Sequence, residues 1–168
     1  MWLFIMESGK LKIGILIIVF VVITALAIRY IKRKKMQIKQ CKYFKSSEFD
    51  SPDVPGTGKQ MQHSTLLMLC KAREIADVPF KINSGYRTKA HNKKVKGVSD
   101  SAHLKGYAVD ISTLNGQHQE KILRALRQAG FKRFGVYTNF IHTDNDPSKK
   151  QLVAWGNMSK VNNPFNYA

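Results

Sequence analysis

The sequence predicts an α+β domain built on a small, mainly antiparallel sheet flanked by helices and preceded by one N-terminal transmembrane helix. Three observations carry this. Helical and strand-like patterns mix without the strand–helix–strand rhythm of a parallel sheet. The strand-like runs are short. A wholly apolar stretch, Ile13 to Ile28, stands apart from both. With 168 residues the chain has room for one compact domain and little more. The divisions expected are a flank over 1–12, an anchor over 13–31, a basic linker over 32–42, the folded domain over 43–157 and a tail over 158–168.

The apolar stretch, IGILIIVFVVITALAI, has no polar face, so it belongs in lipid rather than in a soluble core. Its 16 residues fall slightly short of the roughly 20 that span a bilayer core. Leu11, Tyr30 and Ile31 extend the stripe, and Lys12 and Arg29 can snorkel. Lys10, Lys12 and the Ala25-Leu26-Ala27 triplet also fit a signal peptide. Basic residues just past such a site hinder export, which favours an uncleaved anchor. Positive-inside logic would put the basic cluster, and the domain after it, in the cytoplasm.

The charge is uneven. The formal net charge is +17, and eight basic residues with no acidic one lie between Arg29 and Lys45. Residues 46–168 hold 18 basic and 10 acidic residues. Much of the excess therefore sits beside the apolar run, as in a juxtamembrane polybasic stretch. A nucleic-acid partner is disfavoured, because no binding motif accompanies the charge. Cys41 and Cys70 make neither a disulfide framework nor a CxxC metal pair, and are expected as separate thiols, one in the linker and one on a helix face.

Order is expected from Tyr43-Phe44, with Pro52, Pro55, Gly56 and Gly58 marking an irregular loop. Ser64 to Ala76 fits a helix with one apolar face and Ser64 as its cap. Phe80 to Asn83 reads as a strand. Thr88 caps a short helix through Val95, and Val98 to Leu104 is a polar loop. Tyr107 to Ile111 is a strand by its apolar and β-branched content. Gln117 to Ala129 is an amphipathic helix with Gly130 as its stop. Phe131 to Tyr137, Phe140 to Thr143 and Leu152 to Trp155 are three further strands.

The chemistry concentrates in Ser101-Ala102-His103-Leu104-Lys105-Gly106-Tyr107-Ala108-Val109-Asp110 and in Phe140-Ile141-His142-Thr143-Asp144. Two histidines and one aspartate are a donor set that zinc accepts, with a fourth position left for water. Asp110 is the sharpest oddity, because a carboxylate within an apolar strand needs a cation or donors to offset desolvation.

Ser84-Gly85-Tyr86-Arg87, Ser101-x-His103-x-x-Gly106-x-Ala108-x-Asp110 and Phe140-Ile141-His142-x-Asp144 together resemble the zinc D-alanyl-D-alanine carboxypeptidase and endopeptidase family, whose fold is shared with hedgehog signalling domains. The resemblance covers about Tyr43 to Gly156. It implies one zinc ion per chain on His103, Asp110 and His142. It implies that Arg87 binds a substrate oxygen and stabilises developing charge, with Tyr86 and Ser101 orienting neighbours or contacting substrate. The implied substrates are peptidoglycan peptides; a monomer acting on the wall side of a membrane is expected, with the topology left open. Where many members carry an acid three residues before the last ligand, this chain has Asn139. Residues two apart on a strand share a face, so Asp144 is the expected general base, with Asp146 as a poorer substitute; the alternative is that Asp144 only holds a ligand or Arg87. His91 is expected at the surface, with a place on the cleft wall as the alternative. Trimming of a terminal D-Ala and cutting of a cross-link both remain open. So does a non-catalytic, wall-binding membrane protein that keeps the zinc fold, which Asn139 favours.

Overall fold

The computed structural model describes residues 16–30, 41–157 and 163–166. The chain divides into two compact units, 1–40 and 41–168. In the first, helix α1 (16–30) exposes its apolar side chains, Leu16 through Phe20 among them. Among the described residues no helix is long and apolar enough to cross a membrane. Of the expected anchor, residues 13–15 and 31 lie outside the described residues. So do the 1–12 flank, linker residues 32–40, and tail residues 158–162 and 167–168.

The second unit is an α+β fold. Its helices are α2 (His63–Ala76), α3 (Lys89–Lys94) and α4 (Gly116–Ala129). Its strands are β1 (Ile82–Ser84), β2 (Ala108–Ser112), β3 (Arg133–Val136), β4 (Phe140–Asp144) and β5 (Val153–Gly156). The sheet order is β1-β2-β4-β3-β5. Three pairings are antiparallel, and β5 joins β3 in parallel, so the sheet is mixed at one edge.

Strand alternation explains how one sheet serves both a core and a site. Val109, Ile111, Phe134, Val136 and Ile141 are fully buried and share one cluster with Leu69 and Ala72 of α2 and Ile122, Leu123 and Leu126 of α4. The alternate residues carry polar chemistry. Cross-strand register lines up Ser84 of β1, Asp110 of β2, His142 of β4, Gly135 of β3 and Trp155 of β5 in one row across all five strands.

Local signals place the helices. Thr88 caps α3 by accepting from the His91 amide at 3.0 Å, as its hydroxyl chemistry predicts. Asn115 caps α4 through the His118 amide at 2.9 Å, and Gly130 ends it at a φ of 110°. Ser64 is not the cap of α2; Gln62 holds that position without a side-chain bond. A backbone bond from the Gln62 amide to Gly106 O at 2.9 Å docks this entry onto the site loop.

The separate-thiol expectation is corrected: Cys41 and Cys70 form a disulfide across 29 residues, with Cα atoms 5.9 Å apart. Folding brings the end of the presumed linker against α2, a proximity that spacing in the chain does not reveal. The second compact unit starts at Cys41. Cross-linking a loop of this size stabilises a fold by about 3–4 kcal/mol in the chain-entropy account. Cys41→Ser should therefore lower the urea midpoint to that of the reduced wild-type chain. A midpoint indifferent to both changes would show that the pairing does not form.

Candidate metal centre

His103 sits on the 3-10 turn Ala102–Lys105 between α3 and β2. Gly106 closes that turn at a φ of 73°, and a Cβ there would lie 2.3 Å from Gln60 O. Only glycine lets the chain double back here, bringing His103 to the start of β2. His103 Nδ1 donates to Gly85 O at 2.6 Å, which leaves its Nε2 lone pair facing inward. Asp110 and His142 meet because they are direct partners in the β2–β4 register.

The three donors converge. His103 Nε2 lies 3.2 Å from His142 Nδ1 and 3.3 Å from Asp110 Oδ1, and His142 Nδ1 lies 2.8 Å from Asp110 Oδ1. A zinc ion with bonds of about 2.0–2.1 Å in a tetrahedron needs donors roughly 3.3 Å apart. The triangle fits that size, its chemistry is nitrogen and oxygen, and the three residues could hold a metal ion.

Electrostatics bind the group together. Burial pushes the Asp110 carboxyl up, but the charges and hydrogen bonds of His103 and His142 outweigh it and hold the group far below the ordinary carboxylate range. Burial pushes His103 down, away from the charged form. It also pushes His142 down, yet its hydrogen bonds to Asp110 and Asp144 win and raise it to about 9.

Metal and proton therefore compete for His142 Nδ1. Zinc affinity should rise about tenfold per pH unit through neutrality and flatten above about pH 9. The metal-free fold runs oppositely, since His142 stabilises it fully below 6.5, with that contribution lost as pH rises through about 9. Zinc titration against a competing chelator from pH 6 to 10 checks the first trend, and a pH-independent affinity would refute it.

Arg87 faces the opposite oxygen of Asp110. Its Nη2 donates to Asp110 Oδ2 at 2.5 Å, its Nε to Ser84 Oγ at 2.8 Å, and its amide to His103 O at 3.1 Å. A guanidinium has five N–H donors, so these bonds leave capacity for a substrate oxygen. A cleft of about 240 Å³ opens here, lined by Asn83, Ser84, Arg87, His91, Val95, Asp110 and Phe140. His91 thus lies on the cleft wall.

Neither Tyr86 nor Ser101 is among the residues lining that cleft. Tyr86 packs against the hydrophobic core. Ser101 is buried at the start of the 3-10 turn, outside the cleft lining. Asn139 is exposed in the β3–β4 hairpin. Asp144 shares the face of His142, but Asp144 Oδ2 meets His142 Nε2 at 3.2 Å, on the nitrogen remote from the donor triangle. Asp146 is buried against Lys105 Nζ at 2.9 Å and the Ser148 hydroxyl at 2.7 Å. Arg133 and Asn83 were not expected at the site. The hairpin register that opposes Arg133 to Asp144 is the signal that could have found the first.

The family model for peptidase M15 matches residues 30–144, a span holding Arg87, all three donors and Asp144. The chain belongs to the peptidase M15 family, whose members are zinc-dependent D-Ala-D-Ala carboxypeptidases and their relatives. No curated protein matches the chain.

Proposed function

We propose that this protein is a zinc-dependent peptidase that hydrolyses peptide bonds in the stem peptides or cross-links of peptidoglycan. The observation that carries this reading is the zinc-sized triangle of His103, Asp110 and His142 beside a cleft holding Arg87. When bound there, zinc supplies Lewis-acid polarisation of a carbonyl and lowers the pKa of a water molecule toward neutrality. Arg87 presents N–H donors to the substrate oxygen on which charge develops, and Ser84 and Asp110 fix its orientation. His103 keeps its outer nitrogen protonated on Gly85 O, so its inner nitrogen stays available as a ligand.

Purified muropeptides incubated with the protein should show D-Ala release or cross-link cleavage by mass spectrometry, lost with chelator and restored by zinc. A second reading is a wall-binding protein that keeps the site without cleaving. Asn139, together with the engagement of Asp144 by its neighbours, favours it. Zinc-loaded protein that sediments with peptidoglycan but leaves every muropeptide intact would establish that reading and exclude the first.

We further propose that the apolar leader and basic linker tether a monomer to a membrane, with the domain on the wall side. The Cys41–Cys70 pair supports the oxidising side. Thiol alkylation of the protein in intact cells should label neither cysteine before reduction; labelling of both would put the domain in the cytoplasm.

A further inference from the structure

The row of residues next to the metal triangle has no role in the reaction as described so far. Cross-strand register sets Arg133 of β3 opposite Asp144 of β4. Arg133 Nε donates to both carboxylate oxygens of Asp144, at 2.9 and 3.1 Å. A further Arg133 nitrogen donates to Lys150 O, tying the guanidinium to the segment entering β5. Its planar centre lies 5.4 Å from the Trp155 ring, and that ring lies 5.5 Å from the His142 imidazole. Gly135 makes room for the indole, since a Cβ there would fall 2.8 Å from Trp155 Nε1.

Asp144 is almost wholly inaccessible, at 1% exposure. Its oxygens are further used by the Asp146 amide at 3.2 Å and by His142 Nε2. A proton acceptor for water on the donor triangle has to face that triangle. Asp144 lies across the imidazole from it, because Nδ1 and Nε2 are on opposite edges of the ring.

On the zinc-peptidase reading above, we infer that Asp144 and Arg133 are positioning residues for His142 rather than proton carriers. Arg133 locks the Asp144 carboxylate. Asp144 accepts the His142 Nε2 hydrogen and fixes the tautomer that presents Nδ1 to the metal. Trp155 closes the exposed face of the pair. Carboxylate–histidine pairs of this kind orient metal ligands and raise their basicity.

A base and a positioning residue separate on metal affinity. In the full chain, with zinc alone as probe against a competing chelator, Asp144→Asn should weaken binding about 10–100-fold. It should also shift the visible spectrum of the cobalt(II)-substituted protein. Arg133→Gln should move both readouts the same way by less, and Arg133→Lys should recover only part, because an ammonium cannot reproduce the planar fork. Zinc affinity and cobalt spectrum at wild-type values in Asp144→Asn, with turnover alone reduced, would instead make Asp144 the base.

The wild-type chain supplies a test that no folding defect can blur. Nitrogen NMR of the zinc-loaded protein should show His142 protonated at Nε2 with zinc on Nδ1, and zinc on Nε2 would overturn the positioning role. A wild-type chain that takes up no zinc would sink the peptidase reading itself. Failure of the positioning role alone looks different: the wild type binds and Asp144→Asn matches it.

Discussion

His142→Ala should strip the protein of its metal and reduce peptide hydrolysis by more than about a thousandfold. His142 supplies one of three donors, and it is the bridge between the metal triangle and the Asp144–Arg133 pair. Lewis-acid stabilisation of developing charge is worth several kcal/mol. About 4 kcal/mol corresponds to a thousandfold in rate. The substitution also leaves the Asp144 carboxylate without its histidine partner, so a lower melting temperature of the metal-free protein is expected alongside. Metal analysis after gel filtration, with turnover measured on the same sample, reads both effects. Retained stoichiometric zinc would remove His142 from the ligand set.

Arg87→Ala should behave differently, with zinc retained and turnover lowered by about 10²–10³. The side chain bonds the outer oxygen of Asp110 rather than the one in the donor triangle. Its loss therefore leaves the metal donors in place while removing donors from the cleft. Arg87→Lys should restore little, because the bonds to Ser84 and Asp110 come from two nitrogens of one planar group. A variant with normal turnover on muropeptides would show that Arg87 serves only to hold Asp110.

His142 and Arg87 both lie at a site that was partly legible in the sequence. Asp110 announced itself as a carboxylate inside an apolar strand, and the structure shows it buried between two imidazoles and a guanidinium. The helices α3 and α4 and the strands β2, β3 and β4 follow from capping residues and periodicity, which are local signals. What stayed hidden depends on distant contacts. No pattern within Val153–Gly156 tells whether it pairs parallel or antiparallel. Nothing near Cys41 shows that Cys70 lies beside it.

Asp144 is the instructive case. Period-two alternation correctly placed it on the face of His142. It could not say whether the carboxylate would reach the inner or the outer nitrogen of that ring. Arg133 decides this, and its position opposite Asp144 becomes visible only once the Tyr137–Asn139 hairpin sets the register.

The most direct test of the account is X-ray absorption at the zinc edge on the full-length chain loaded with one equivalent of the metal. The geometry predicts one ion per chain bound by two imidazole nitrogens and one carboxylate oxygen, with a further light-atom ligand from solvent. A spectrum fitted without imidazole, or by protein donors in every coordination position, would contradict it.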